Sequence, residues 1–373
     1  MKDATDVVEI ARELGPSFAA RTAEHDANDS FVADNYKALN ERGFFAAGVP
    51  AELGGGGATH AQLCAAIQKL GRHCSSTALA ASMHTHVVAF MAATWRGGNQ
   101  GPEPMLRKIA ADRLILATSG GSDWLAGSGK LTKVEGGFKM NGRKIFGSGV
   151  PAAKVLMTTG IYDDPTAGPT VIHFPVPLDA PGVTVLDTWR ALGMRGTGSH
   201  DIMLEDVFLP DAVMQGVRRP AGKWHPSSHG VALFALPIVY AAYLGVAEAA
   251  RELALAAAKK RKDDPTTAFL VGEMEAQLVT AQIVHADMVE QARTAAPGPE
   301  TTARQLTRRG IVANAIIATV AKALEAAGGG SFYRAATLER LFRDVQAGRY
   351  HPLPDKPRER YVGRFLLGLD IDG

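Results

Sequence analysis

The sequence predicts an α+β chain of three successive parts: a helical N-terminal part, a central β part and a C-terminal helical bundle. Three observations predict it. Up to about residue 113, apolar residues recur at three- and four-residue steps, the spacing of one helix face. Between 114 and 225 that spacing gives way to short β-branched runs separated by Gly, Pro and Asp. From 226 to 373, Ala, Leu, Glu and Arg dominate in helical periods. The expected domains are therefore 1–113, 114–225 and 226–373. The middle one is expected to be barrel-like and the last a four-helix bundle.

In the first part Val7, Val8, Ala11 and Leu14 share one helix face, and Tyr36, Leu39 and Phe44 repeat the pattern. Pro50 and the run Gly54–Gly57 interrupt it. Helices are then predicted from His60 to Leu70 and from Ser76 to Ala93. In the middle part the β-branched runs are Lys154–Thr159, Thr170–Phe174 and Val183–Leu186. The segment Val134-Glu135-Gly136-Gly137-Phe138 reads as a hairpin turn feeding a strand through Asn141-Gly142. In the last part Val231–Lys259, Ala268–Ala295 and Glu300–Ala327 read as long helices. Thr337–Gln346 reads as a shorter one before a proline-rich tail. The alanine runs Ala254–Ala258 and Ala313–Ala323 favour close helix packing.

Composition excludes several classes. Of 373 residues, 40 are Lys or Arg and 38 Asp or Glu, a net charge of +2. So even a balance leaves no field to hold nucleic acid or an anionic membrane surface. The longest apolar candidate for a membrane span, Val231–Leu244, carries Pro237 and is too short. Cys64 and Cys74 make no disulfide framework and no C-x-x-C pair, which suits reduced thiols. The opening MKDATDVVEIARELG is acidic and amphipathic, so no secretory leader and a cytoplasmic location are expected.

Three motif-like stretches fail on their chemistry, and one common motif is missing. Gly127-Ser128-Gly129-Lys130 has Trp124 where a phosphate loop needs its first Gly, and Leu131 where it needs Ser or Thr. Gly54–Gly57 lacks the G-x-G-x-x-G order of a dinucleotide turn. His225 and His229 have metal-ligand spacing, but Pro226 argues against the helix it requires and no acidic partner adjoins, so no metal is expected. No G-x-S-x-G elbow exists.

One stretch is specific. Trp189-Arg190-Ala191-Leu192-Gly193-Met194-Arg195-Gly196-Thr197-Gly198-Ser199, continued to Pro210 as HDIMLEDVFLP, resembles the middle-domain signature of the acyl-CoA dehydrogenase superfamily of flavoproteins. Further pieces follow in that family's order. Gly48-Val49-Pro50 with Gly54–Gly57 is similar to its early glycine loop. Asn141-Gly142-Arg143-Lys144-Ile145-Phe146-Gly147-Ser148 is similar to its N-G-x-K-x-W-I-T segment. Gly328-Gly329-Gly330-Ser331-Phe332, then Leu338 to Asp344, is similar to its G-G-x-G ending and R-D pair. The resemblance spans essentially the whole chain and implies the acyl-CoA dehydrogenase fold.

The resemblance also implies site residues and a cofactor, FAD, or FMN in a monooxygenase-like member. Phe146 would lie against the flavin ring and Ser148 near its N5. The loop Ala117 to Asp123, shorter than the family's, offers Thr118 and Ser122 as flavin contacts. Gly328, Gly329 and Gly330 would meet the adenine-diphosphate end of a flavin held by a neighbouring subunit. The alternative for Ile145 and Phe146 is an ordinary half-buried alternating strand. Bundles of this family also assemble, so a homotetramer or at least a dimer is expected.

The chain departs from the family at the catalytic carboxylate. Where most members carry Glu about eight residues after R-D, this chain has Tyr350-His351-Pro352-Leu353-Pro354. The minority position, near Ala235, has no acid either. A general base contributes on the order of 10²–10⁴ in rate, so its loss weighs against ordinary acyl-CoA dehydrogenation. A branch of the same superfamily lacks that Glu. Its members bind reduced flavin supplied by a separate reductase and hydroxylate small molecules with oxygen, some with one His in an early helix and another near the C-terminus. His84, with His86 beside it, stands at the first place and His351 at the second. Pro352, Pro354 and Pro357 are expected to keep that region from being helical. Three readings follow: a flavin oxidoreductase of the monooxygenase-like branch, an acyl-CoA or acyl-carrier dehydrogenase with an unusual base, and an inactive flavin-binding partner subunit.

Overall fold

The computed structural model describes residues 6–373, with Ser122 described by its backbone alone. Asp6 starts α1 (Val7–Ala19), its carboxylate accepting from the amides of Val8 and Glu9 at 3.1 Å. Two short helices, α2 (Thr22–Asn28) and α3 (Ala33–Glu41), follow. Thr59 and Gln62 form a reciprocal cap that opens α4 (His60–His73). Extended Cys74 then breaks the chain into α5 (Ser75–Arg96), and α6 (Glu103–Asp112) closes the helical part.

The middle part is built from β1 (Leu116–Thr118), the single turn α7 (Ser122–Leu125), β2 (Lys130–Val134), β3 (Gly137–Gly147), β4 (Val155–Asp164), β5 (Gly168–Pro177), β6 (Val183–Val185), β7 (His200–Pro210) and β8 (Arg218–Pro220). The predicted hairpin is the β2–β3 pair, turned by Glu135 and Gly136, the latter at φ 71°. The strand order is β6-β7-β3-β2-β4-β5-β8, with β1 parallel to β4. The sheet is open, with β6 and β8 at its two ends, so the expected barrel-like closure is not made.

The last part contains α8 (Pro226–Ala258), α9 (Pro265–Thr294), α10 (Pro299–Ala327), α11 (Thr337–Val345) and α12 (Asp355–Leu366). Two sequence expectations are corrected here. Pro226 does not forbid a helix: it is the first residue of α8, where a missing amide costs nothing, and His225 caps it. The tail is also helical beyond Pro354, because Asp355 and Pro357 sit in the first turn of α12, where proline is tolerated.

By length and composition α8 and α10 could each cross a bilayer, which the uninterrupted-run criterion missed. The most apolar stretch of α8 is 89% buried, however, packed among α4, α5, α9 and α10. Its apolarity is that of a core helix. Pro237 inside α8 has no amide to give Leu233, and two histidines brace the loosened stretch. His60 Nε2 bonds the carbonyl of Phe234 at 2.9 Å, and His285 Nε2 that of Pro237 at 2.8 Å.

Helices α4 and α8 cross through a pair of glycines. A Cβ on Gly71 would stand 2.3 Å from the Ala242 carbonyl oxygen, and one on Gly245 would stand 2.1 Å from that of Gln68. Both obstacles are backbone and cannot swing away. Gly245→Ala is therefore expected to push the two helices apart and destabilise the fold by at least about 1–3 kcal/mol, the usual range for overpacking. Gly363→Ala, in α12 at a position with open space around it, should be neutral or slightly stabilising. Denaturant midpoints of the two variants check this.

Candidate functional site

The site is floored by a buried ion pair. Lys144 projects from β3 into the sheet, its side chain wholly buried. Its ammonium donates to Asp123 Oδ2 at 2.9 Å, to the Ser128 carbonyl at 2.7 Å and hydroxyl at 2.9 Å, and to the Thr159 carbonyl at 2.7 Å. Burial pulls its pKa below the ordinary lysine value, and Asp123 opposes that shift. Asp123 also accepts from Thr158 at 3.2 Å and from Ser128. Arg219, 2% exposed, donates to the carbonyls of Trp124 (2.6 Å) and Leu125 that end α7. The segment from Thr118 to Leu125 is thus fastened from beneath. Gly127-Ser128-Gly129-Lys130, which superficially suggests a phosphate loop, is part of this fastening.

Above that floor, the loop after β1 lies between two walls. The Gly120 amide donates to the Ile145 carbonyl at 2.8 Å, and a Cβ on Gly120 would come within 3.1 Å of the Phe146 ring. A Cβ on Gly121 would come within 2.6 Å of Pro352. Only glycine fits at either place. At Phe146 the β3–β7 register slips, between Lys144 and Gly147, and the residue takes φ 58°. An aromatic residue in the left-handed region is uncommon, and such strain gathers at functional sites. The bulge leaves Ile145 38% and Phe146 51% exposed, which removes the half-buried alternating strand as an explanation. Trp189 meets the Phe146 ring edge-on, at 6.0 Å between centroids.

Ser148 begins a chain of hydroxyls. Its Oγ is 2.7 Å from that of Ser199, which is 2.6 Å from Thr197 Oγ1, which donates to the Met194 carbonyl at 2.8 Å. The segment that carries Thr197 and Ser199 is anchored in turn. Buried Asp344 accepts from the Met194 amide and from Ser75, and burial raises its pKa.

The opposite wall is the segment Gly348 to Pro354. Fully buried Arg309 donates to the carbonyls of Gly348 (3.2 Å), Arg349 (3.0 Å) and His351 (2.8 Å), and to Asp355 at 2.9 Å. Tyr240 donates to the Gly348 carbonyl at 2.7 Å. The Tyr243 hydroxyl lies 2.6 Å from His351 Nε2. Burial pushes the Tyr243 pKa well above its ordinary value, so it stays protonated, and its one hydrogen-bond partner among the described residues is that nitrogen. It therefore donates to Nε2, which leaves His351 with its proton on Nδ1. Burial, then Arg309, then His86 push His351 down to about 3, so it is neutral near pH 7.

The predicted residues divide accordingly. Phe146 and Pro352 pack against the glycine loop, which carries Thr118 at one end and the backbone of Ser122 at the other; Ser148 follows two residues after Phe146 and His351 adjoins Pro352, while the Ser122 side chain lies outside the described residues. The hydroxyl of half-buried Thr118 makes no hydrogen bond to the described residues. His84 does not join them. It is 1% exposed, with Nε2 2.8 Å from the Phe45 carbonyl and Nδ1 accepting from the Leu116 amide at 3.0 Å. Both nitrogens are occupied, and burial holds its pKa at about 4. It braces β1 against the helices and has no atom left for a ligand. His86, half-buried, uses Nδ1 on the Ser82 carbonyl at 3.0 Å and lies near enough to His351 to act on its charge. Gly328, Gly329 and Gly330 end α10, nineteen residues and about 28 Å along the helix from Arg309. Gly329 and Gly330 are exposed, with nothing near their α-carbons.

Sequence reasoning missed Tyr240, Tyr243 and Arg309. Two tyrosines three residues apart in an otherwise apolar helix were the available signal, since a buried hydroxyl needs a partner.

The family descriptions of acyl-CoA dehydrogenases match in order along the chain: the N-terminal domain at residues 5–110, the middle domain at 118–207 and the C-terminal domain at 231–355. YdbM of Bacillus subtilis (strain 168) is 30% identical over 368 residues, which cover 92% of this chain and 91% of that protein. The L-evernosamine nitrososynthase of Micromonospora sp. is 27% identical, over 98% of this chain and 91% of the relative. Among solved structures, KijD3 in complex with FMN and a dTDP-linked amino sugar superposes with a TM-score of 0.90 at 27% identity. That match covers 98% of this chain and 94% of KijD3.

Removing one partner of a buried ion pair strands the other charge. Lys144→Ala is expected to cost about 3–5 kcal/mol and to loosen the Thr118–Leu125 segment. Lys144→Met with Asp123→Leu, which removes both charges, should recover much of that stability. Thermal unfolding of the single and double variants checks the order.

Proposed function

The chain belongs to the acyl-CoA dehydrogenase family of flavin-dependent oxidoreductases, and from that premise we propose that it is a monooxygenase using reduced flavin rather than a dehydrogenase of acyl thioesters. The observation that carries the proposal is the state of the catalytic position. Where the family's base is expected stands Pro352, and beside it His351, neutral, with Nε2 occupied by Tyr243. A neutral imidazole protonated on Nδ1 offers an N–H to an oxygen atom, not a lone pair to a C–H bond. The flanking carboxylates are all committed: Asp123 to Lys144, Asp344 to Ser75 and Met194, and Asp355 to Arg309.

The residues fit a flavin. Phe146 offers a half-exposed ring on a strained bulge, Gly120 and Gly121 let the loop pack directly against Phe146 and Pro352, and Ser148 carries a hydroxyl two residues beyond that ring. Thr118 and Ser122 are assigned to the ring edge. A bound reduced flavin supplies the two electrons that activate oxygen. The protein's part is to hold the ring, exclude water and place the His351 N–H. FMN, held by the KijD3 relative, suffices for these contacts. FAD would extend to the Gly328–Gly330 turn of a neighbouring subunit, where Arg261 donates to the Ala326 carbonyl at 2.5 Å and its guanidinium lies against Gly328. A separate reductase and a small-molecule substrate complete the scheme.

Self-association belongs to the same proposal. The alanines that favour close helix packing serve it within the bundle, since Ala254, Ala258, Ala313 and Ala323 are all buried. The outward face of α9 is the better candidate. Phe269, Gly272, Ala276, Val279, Ile283 and Ala286 recur there at three- and four-residue steps and are all exposed, Phe269 to 75% and Ile283 to 65%. A second copy of this chain matches such a stripe by the seam geometry of paired helices. Light scattering at micromolar concentration is expected to give a dimer or tetramer, and Ile283→Glu should shift it towards monomer.

The decisive test of the chemistry is His351→Ala. The variant should keep its fold and flavin affinity. Product yield should fall by roughly tenfold or more while oxygen uptake continues and ends as hydrogen peroxide. If instead the wild type holds oxidised FAD that an acyl-CoA bleaches without oxygen, and the variant loses that bleaching, the protein is a dehydrogenase with His351 as its base. Bound flavin that neither an acyl-CoA nor a reductase can turn over marks an inactive partner subunit.

A further inference from the structure

The hydroxyl chain behind Ser148 has a direction, and the direction selects a ligand. A carbonyl oxygen cannot donate, so at 2.8 Å from the Met194 carbonyl the Thr197 hydroxyl must spend its only hydrogen there. Thr197 can then only accept from Ser199, at 2.6 Å. Ser199 has thereby spent its own hydrogen and can only accept from Ser148, at 2.7 Å. Ser148 is left with an oxygen that accepts and a hydrogen already committed inward. The chain is held in place. Thr197 is fully buried, Ser199 is 3% exposed, and Gly149 donates its amide to the Thr197 carbonyl at 2.9 Å.

We propose that Thr197 and Ser199 fix Ser148 as a hydrogen-bond acceptor and so make this site prefer reduced over oxidised flavin. The inference rests on the reading above that Ser148 meets the flavin near N5. That atom inverts its character on reduction: it accepts a hydrogen bond in the oxidised ring and carries a hydrogen in the reduced one. An acceptor facing it gains a bond with reduced flavin. With oxidised flavin it sets two lone pairs against each other. Thr197 and Ser199 are positioning residues in this scheme, acting only through Ser148. Discrimination by an oriented acceptor is stronger than discrimination by shape, because the wrong partner leaves buried polar atoms unpaired.

The test is a pair of anaerobic titrations, oxidised FMN and dithionite-reduced FMN, read by flavin fluorescence and protein tryptophan quenching. The wild type should bind the reduced form at least tenfold more tightly. Thr197→Val keeps the side-chain shape but gives Ser199 no acceptor except Ser148. The chain then reverses, Ser148 donates outward, and affinity for oxidised FMN should rise while that for reduced FMN falls, collapsing the ratio by about tenfold. Ser199→Ala frees the Ser148 hydrogen and should move the ratio the same way. A gain in oxidised-flavin affinity cannot come from a damaged fold. If Ser148→Ala weakens reduced FMN binding yet Thr197→Val and Ser199→Ala leave the ratio at its wild-type value, the direction of the chain does not select the ligand and the inference is wrong. If Ser148→Ala changes neither affinity, Ser148 does not meet the flavin, and the premise falls together with the inference.

Discussion

The arrangement around the site depends on one buried charge. Lys144 sits inside a sheet, where an unpaired ammonium could not persist, so the chain must bring it a carboxylate and several oxygens. Asp123 and Ser128 come from the segment that follows β1, and Thr159 from β4. Satisfying Lys144 therefore fixes the course of the loop that carries Thr118, Gly120 and Gly121. Such pairs add little net stability compared with apolar packing, because desolvation offsets the attraction. What this one supplies is position. A loop of glycines and small polar residues has no core of its own to hold it, and here its anchors are electrostatic and placed beneath it.

The opposite wall is held by the same device with different groups. The segment from Gly348 to Pro354 belongs to no helix or strand from Tyr350 on, and it is pinned by its carbonyls. One guanidinium reaches three of them, and the Tyr240 hydroxyl reaches one of the same three. Both tyrosines ride on α8 just beyond Pro237, where His60 and His285 brace the helix against α4 and α9. The course of α8 through the proline thus bears directly on where Tyr243, and through it His351, are placed. Helix packing and site geometry are coupled by this one element, with the Gly71–Gly245 crossing setting its distance from α4.

Much of this was legible in the sequence, and the limits have physical causes. Helices of strong period were read nearly to their ends, because amphipathic spacing reports burial directly. The helix after Pro354 was missed because proline was weighed as a breaker when its position in a first turn makes it neutral. The sheet's failure to close could not be read, since closure depends on which strands pair and not on the strands themselves. Around the candidate site, Phe146, Ser148 and His351 stand out in the sequence only through ordered motifs. His84 was misjudged because periodicity places a residue on a helix face without saying what lies opposite. Tyr243 and Arg309 carry no motif at all: their importance lies in partners more than forty residues away.

The absence of a carboxylate at Pro352, with His351 beside it, changes more than the identity of a base. A carboxylate at that place accepts only and carries charge, which suits removing a proton from carbon. A half-buried imidazole next to Arg309 stays neutral near pH 7, since both desolvation and the guanidinium oppose its charging. With Nε2 filled by a tyrosine, its one remaining function is to donate from Nδ1. Across the glycine loop, Ser148 is left able only to accept. On the proposed reading the two walls present opposite hydrogen-bonding characters, a donor at His351 and an acceptor at Ser148, each set by its protein neighbours. That pairing matches a reduced ring, which has a hydrogen to give, and an oxygen atom, which has lone pairs to receive one. It does not match an oxidised ring awaiting hydride from a substrate whose proton must be taken. In the proposed scheme the preference for one chemistry over the other rests on which atoms still have a hydrogen to spare.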